Sequence, residues 1–440
     1  MNNYVFIETY GCSANQNNSE IIKGILKSSG YEITNNEKIA EILIINTCIV
    51  KGKTETKIKR RIQDLARTYS DKLMVIAGCM PETDKESIKK INPKVILLGI
   101  SHTKEIVKLL KDYNKNSLTK DRQKEYLSKQ NEEKLCSPKI SNNKLISIIQ
   151  ISEGCLGDCS YCKTKLAKGK LFSYPQDKIL KQIENDLQQG AKEIWLTSQD
   201  NASYGLDRGK NELPELLNKI LSLKHNFKLR LGMMNPNHLY SILDELIQIY
   251  SSPKIYKFLH IPIQSANNRV LKDMNRPYKI EQVKEIIKKF KKEFPDITIA
   301  TDIITGYPTE NKEEHNQNIE FINEFTPDVF NLSKFSSHKQ TKAGKLQTLD
   351  KEILNKRASE LMELHRKTSM ENKQKFKDKI LWVFVNDKTK IPNVYEARDD
   401  NYQIVLVPTT KTNSHILGKN INVKIKQIGV HHMIGEKFDL

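Results

Sequence analysis

LISIIQISEGCLGDCSYC, residues 145–162, is the stretch on which the reading of the 440-residue chain turns. Its first half is an apolar, β-branched run of strand length. Its second half sets Cys155, Cys159 and Cys162 in one loop directly after that strand. Downstream, EIWLTS, FKLRLGM, YKFLHIPI, ITIATDII and VFNLSKF are runs of the same kind, each followed by a helical stretch. Six βα units in series, with right-handed crossovers and sequential neighbours, are expected to curl into a partial (β/α)6 barrel with helices outside. Functional loops then fall at the C-terminal ends of the strands.

Upstream, YVFIE, EILIIN, LMVIA and KVILLG read as buried strands separated by helical segments, a parallel α/β domain ending near Asp112. The polar, charged run after it (NKNSLTKDRQKEYLSKQNEEK) reads as a solvated helix or linker. Beyond KEILNKRASELMELHRKTSMENKQKF the chain changes to short alternating strands, KILWVFVND, NVYEA, YQIVLVP and KNINVKIKQIG, as in a small five-stranded β-barrel. The expected division is 1–112, a linker at 113–143, 144–372 and 373–440.

Lys and Arg number 72 against 53 Asp and Glu, a formal charge of +19. Such an excess points first to a polyanionic partner, nucleic acid before anionic lipid. A coding bias toward Lys, Ile and Asn is the other source of such a balance. No apolar run reaches the length of a membrane helix and the first residues lack the pattern of a signal peptide, so a cytoplasmic location without membrane contact is expected. In a reducing compartment clustered thiols serve metals or redox chemistry rather than disulfides.

Three thiolates in one loop can hold three irons of a 4Fe-4S cluster and leave the fourth iron open to chelate the amino and carboxylate groups of S-adenosylmethionine. Gly154 and Gly157 let such a loop wrap closely. A structural zinc ion is the alternative, and it needs a fourth ligand that only Cys136 could supply nearby. Cys12, Cys48 and Cys79 form a second, dispersed set, each a few residues beyond an apolar run. In an open parallel sheet those positions share one crevice, although three unrelated buried cysteines would read the same way. Cys136 belongs to neither set and reads as an ordinary linker thiol.

The CxxxCxxC loop, with Tyr161 before its third cysteine, resembles the radical S-adenosylmethionine superfamily. Together with YGCSANQNNSE, NTCIV and AGCMPE in that order, it resembles the methylthiotransferase family over nearly the whole chain, and the C-terminal barrel resembles that family's TRAM domain. ISEGCLGDCSYCKTKLAKGKLFSYP, WLTSQDNASYG, RLGMMNP, HIPIQSANNRVLKDMNRPY and TDIITGYPTE resemble the archaeal and eukaryotic branch acting on threonylcarbamoyladenosine in tRNA. Ala266, where the family has Gly, and the segment HKQTKAG containing His338, Lys339 and Gln340 depart from its pattern.

The resemblance implies two 4Fe-4S clusters. The one at Cys155, Cys159 and Cys162 cleaves S-adenosylmethionine to a 5′-deoxyadenosyl radical, and the one at Cys12, Cys48 and Cys79 carries the sulfur to be methylated and transferred. It implies cofactor contacts at Tyr161 and at Ser198, Gln199 and Asp200, which end the second strand. Gln264, Ser265 and Gly306, read as further cofactor contacts, and Asp302, read as a substrate residue, also sit at strand ends, and a cap or turn role is the alternative for each of these strand-end residues. A carboxylate on the modified base would call for a cation, with Arg230 and Lys334 as candidates. Expected partners are a tRNA anticodon loop, a low-potential electron donor and a sulfur donor, met by a monomer. Methylthiolation of an isopentenyladenosine tRNA or a ribosomal protein, and a non-catalytic RNA-binding protein with structural metal sites, are the competing functions. The basic run Lys163, Lys165, Lys168 and Lys170 reads as a solvated face or a set of phosphate contacts.

Overall fold

The computed structural model describes residues 3–49, 52–115, 125–409 and 415–438. In the N-terminal domain the runs read above pair in parallel as Tyr4–Thr9, Ile42–Thr47, Leu73–Gly78 and Ile96–Gly99. Glu32–Thr34 adds an outer strand beside Tyr4–Thr9. Numbered along the chain, these five lie in the order 2-1-3-4-5. In that arrangement the winding reverses beside the first strand, and a crevice opens there at the carboxyl ends. The strand 42–47 is buried at every position because helices cover both of its faces.

The stretch read as a solvated linker is packed over its described part. Glu125–Tyr126 extends the sheet beyond Ile96–Gly99, the Glu132 carboxylate accepts the amides of Thr103 and Lys104 at 3.0 and 2.7 Å, and buried Lys134 pairs with Glu153 at 2.6 Å. Its high charge content is compatible with burial because the charges are paired with partners far away in sequence. Further on, helix Ser13–Ser28 runs so close to Pro138 that a Cβ on Gly24 would lie 2.3 Å from the proline carbonyl.

The six central runs form two three-stranded parallel sheets. One contains Ile146–Gln150, Glu193–Thr197 and Lys228–Leu231, and the other Phe258–Gln264, Thr298–Thr305 and Val329–Lys334. A bridge between Leu229 and Ile255 joins them into one curved wall, the open barrel expected from the sequence. Helix Ser13–Ser28 of the first domain meets the free edge at Ile146–Gln150, where Gln150 donates to Asn18 at 2.8 Å. The barrel's apolar interior and its helices form one continuous core.

Ile380–Lys388, Val394–Arg398, Ile404–Pro408, Asn420–Ile428 and Met433–Lys437 close into a barrel, the last of these strands coming from the short MIGEK segment. This barrel is seated on the central domain rather than tethered to it. Tyr402 packs among Trp195, Tyr256 and Phe258, and Asn386 donates to the buried Glu193 carboxylate at 3.0 Å. Glu193 also accepts from Tyr256 and Trp195 at 2.7 and 2.9 Å, so its burial is satisfied by neutral donors.

Candidate active site between two cysteine sets

Cys12 follows the first strand, Cys48 directly follows Ile42–Thr47, and Cys79 opens helix Cys79–Ile91 right after Leu73–Gly78. The three strands are adjacent in the sheet, so their ends lie side by side. A polar net fixes the loops. Asn15 donates to the carbonyls of Tyr10 and Thr47 at 2.9 and 2.8 Å. The Thr47 hydroxyl donates to the Ala77 carbonyl at 2.6 Å and accepts the Met80 amide at 3.1 Å. Gly11, at φ +106°, leaves no room for a side chain, since a Cβ there would lie 2.9 Å from the Cys48 Sγ.

The second set is clamped from three sides. The Ser160 amide donates to the Met274 carbonyl at 3.0 Å, and the Ser160 carbonyl accepts the Ala343 amide at 2.8 Å. Gly157 donates its amide to the Cys155 Sγ at 3.3 Å, as backbone amides do toward cluster sulfur. Buried Arg276 reaches the Cys159 Sγ at 3.3 Å while holding the Pro262 carbonyl at 3.0 Å. Arg276 was legible only as part of the HIPIQSANNRVLKDMNRPY run, because the sulfur it reaches comes from a loop more than a hundred residues upstream.

All six cysteines line one cavity of about 870 Å³ between the crevice of the first domain and the open end of the barrel. Tyr161, Ser198, Gln199, Gln264, Arg230, Asp302 and Lys334 line it too. Three other positions named from the sequence are elsewhere. Asp200 is buried with its carboxylate spent on the amides of Ala202 and Asn235 at 3.1 and 2.9 Å and on His238 at 2.6 Å. Ser265 is buried and accepts the Asn267 amide in a turn. Gly306 gives its amide to Glu310 at 3.0 Å and packs against Leu354. These three shape the strand ends without facing the cavity.

His260 faces the cavity and pairs with Asp302 at 2.5 Å, bridging the fourth and fifth barrel strands. It was legible only as part of the HIPIQS run. Of the two candidate cations, Lys334 hydrogen-bonds Asn355. Arg230 instead stacks within 5.7, 5.1 and 5.6 Å of the rings of Trp195, Phe258 and Tyr402, and among the described residues its Nε has no hydrogen-bond partner. Tyr161 packs in an apolar cluster with Val270, Met274, Tyr307 and Phe335. The basic run does not form a face. Lys163 pairs with Glu55 at 3.1 Å inside the domain junction, Lys165 bonds the Cys155 carbonyl, Lys168 lines the cavity, and Lys170 alone is exposed.

The HKQTKAG segment braces this junction. Gln340 donates to the Thr83 carbonyl at 2.9 Å, and His338 lies 3.9 Å from Glu55. Ala266 is buried, its amide donating to Asn318 at 2.7 Å.

None of the seven cysteines forms a disulfide. Burial pushes the Cys79 thiol up to about 12 and the Cys155 thiol to about 11, Asp200 adding to the second. Metal loading must therefore displace protons from these sulfurs and is favoured as pH rises. Among the described residues no three His, Cys, Asp or Glu side chains are spaced to close on a single metal ion. Thiolates of an iron-sulfur cube bind separate irons. The Gly157 cradle around the Cys155 and Cys159 sulfurs, and the glycine-only approach at Gly11, fit such a group at each set.

Residues 4–99 match the family described as Uncharacterized protein family UPF0004, and 149–322 match the Radical SAM superfamily. The chain is 39% identical over 432 residues to "Probable threonylcarbamoyladenosine tRNA methylthiotransferase" of Archaeoglobus fulgidus, covering 98% of each. It is 33% identical to "Threonylcarbamoyladenosine tRNA methylthiotransferase" of Homo sapiens, covering 98% of this chain and 73% of the human one. The radical S-adenosylmethionine methyltransferase TsrM of Kitasatospora setae, solved with cobalamin and a [4Fe-4S] cluster, shares the fold at a TM-score of 0.57 over 78% of this chain and 77% of its own, with 13% identity. The fold and the three-cysteine loop define a radical S-adenosylmethionine enzyme. Within that class the chain belongs to the methylthiotransferase family, in the branch that holds the threonylcarbamoyladenosine tRNA enzymes of archaea and eukaryotes. Among the described residues no helix is long and apolar enough to cross a membrane.

Proposed function

We propose that the chain converts N6-threonylcarbamoyladenosine at position 37 of tRNA to its 2-methylthio derivative, using two 4Fe-4S clusters and S-adenosylmethionine. The observation that carries this is the convergence of two three-cysteine sets on one cavity. Carbon 2 of adenine bears an unactivated C–H bond that no side-chain acid, base or nucleophile readily functionalises. The cluster held by Cys155, Cys159 and Cys162, with S-adenosylmethionine, supplies the radical chemistry such a bond requires. The protein's share is placement. Arg276 and the Gly157 amide hold the thiol loop, Tyr161, Ser198, Gln199 and Gln264 line the space for the nucleoside part of the cofactor, and His260 with Asp302 faces the opposite wall. Cys12, Cys48 and Cys79 would hold the second cluster, which would supply the sulfur to be transferred. A monomer working in the cytoplasm, fed by a low-potential electron donor and a sulfur donor, completes this reading.

Replacing Cys12, Cys48 and Cys79 together with alanine tests the division of labour. Methylthio transfer should fall to background while anaerobic cleavage of S-adenosylmethionine persists, because the barrel site is built from other residues. Loss of both activities in a variant with native circular dichroism would contradict it.

RNA contact is assigned to the outer face of the C-terminal barrel. Trp382 is 56% exposed there, and the paired strands set Ile380 opposite Lys424 and Trp382 opposite Asn422. An exposed indole diagonal to Lys424 across the strand pair suits a stacked base next to a phosphate. Trp382→Ala should weaken tRNA binding roughly tenfold, and Lys424→Gln should flatten the salt slope by about one counterion. Binding and slope unchanged in both would move the RNA surface to the first two domains.

A further inference from the structure

Lys168 stands apart from the other cations of the cavity. Its Nζ is buried, and among the described residues no atom accepts a hydrogen bond from it. It ends the short helix Thr164–Lys168 that follows the Cys155–Cys162 loop. That helix is docked on the N-terminal domain, where Ala167 packs into the apolar cluster containing Cys48, Cys79 and Met80. The charges around Lys168 are Glu153 and the thiols of Cys79, Cys12 and Cys48, and Glu153 is already paired with Lys134 at 2.6 Å. The radical-cluster loop thus delivers a cation to the other cysteine set.

A buried ammonium offers three donors and no acceptor, so it is costly to leave without an anion. A lysine presents a compact point charge on a flexible stem, whereas arginine presents a flat fork suited to carboxylate or phosphate. The gap beside three thiols therefore suits a small, nearly spherical anion. We propose that Lys168 is a binding residue for the sulfur cargo, its ammonium holding hydrosulfide or a small alkanethiolate against the cluster carried by Cys12, Cys48 and Cys79. This rests on the reading of those three cysteines given above. Binding transfers no electron: the anion replaces water in the cavity, and its charge is matched by the ammonium, which keeps its protons. Because the lysine comes from the central domain and the thiols from the first, the site exists only when the two are docked, and sulfur is held in the gap that faces the barrel.

The test uses the full chain loaded with both clusters and reduced, with a non-cleavable analogue of S-adenosylmethionine present to occupy the barrel cluster. Sodium hydrosulfide, and separately sodium methanethiolate, is titrated while the electron paramagnetic resonance signal of the N-terminal cluster is followed in the unchanged protein, Lys168→Met and Lys168→Arg. Lys168→Met should weaken the apparent affinity for both probes roughly tenfold or more, as loss of a charge-assisted bond does. Lys168→Arg, which keeps the charge, should retain most of it. Equal affinity in Lys168→Met and the unchanged protein, at equal iron and sulfide content, overturns the proposal. If Lys168→Met does not hold the N-terminal cluster, Lys168→Gln takes its place with the same criterion. Failure of the underlying reading looks different, because the unchanged protein would then give no N-terminal cluster signal to titrate.

Discussion

Changing Cys155, Cys159 and Cys162 together to alanine should leave the protein with one cluster, half its iron and acid-labile sulfide, and S-adenosylmethionine cleavage at background. The expected loss exceeds the roughly 10- to 100-fold that follows removal of a single outer partner of a metal site, since all protein ligands of the cluster go at once. The fold should survive, because the loop is held by Ser160, Ala343 and Met274 through main-chain bonds that the substitutions leave in place, and none of the three sulfurs belongs to the barrel core. Iron and sulfide analysis after anaerobic reconstitution, with product analysis for 5′-deoxyadenosine, reads both quantities. Unchanged iron content, or zinc alone, would defeat the assignment of the loop. Made alone in protein that keeps the three loop cysteines, Arg276→Met, which removes the guanidinium from the Cys159 sulfur while keeping the apolar stem, should shift the midpoint potential of the barrel cluster without emptying it.

The other large effect is on substrate choice. Purified enzyme should act on tRNA carrying threonylcarbamoyladenosine with a kcat/KM roughly a hundredfold or more above that for the same tRNA carrying adenosine or isopentenyladenosine. The threonylcarbamoyl carboxylate would enter a partly desolvated cavity, where leaving it unpaired is costly. The structure separates the two candidate cations: Lys334 is engaged by Asn355, whereas Arg230 has an Nε without a partner among the described residues and a guanidinium stacked against three aromatic rings. Arg230→Met should therefore erase most of the preference by lowering activity on the carboxylate-bearing tRNA alone. Arg230→Lys should restore little, because a lysine loses both the fork and the stacking. Equal activity on isopentenyl tRNA, or activity on a ribosomal protein instead, would overturn the substrate while leaving the methylthiotransferase class intact.

Strands and thiol loops were legible because both are local. Period and β-branching mark a buried strand within a handful of residues, and a cysteine a step beyond one lies at a sheet's carboxyl edge whatever the rest of the chain does. Hence YVFIE, EILIIN and LMVIA located Cys12, Cys48 and Cys79, and LISIIQIS located the Cys155 loop. The short strand Glu32–Thr34 was missed because three half-exposed residues carry no period. The direction a polar side chain takes at a strand end was not legible either. Asp200 and Gln199 are neighbours in the sequence, yet Gln199 lines the cavity while Asp200 turns back to two amides and His238.

By itself, the sequence determined the three-domain α/β, partial-barrel and β-barrel order, the two cysteine sets and the chemistry their thiolates support. Only the tertiary structure decided that both sets open on one cavity, that Lys163, Lys165 and Lys168 after the loop make contacts within the fold while Lys170 alone stays exposed, and that Tyr402 of the last domain reaches back to hold Arg230. Backbone preference acts over a few residues, whereas the burial and pairing of a charge depend on which surfaces meet when the domains dock. The Lys168 Nζ is buried because Ala167 beside it finds an apolar seat next to Cys79, a residue nearly ninety positions away in the chain.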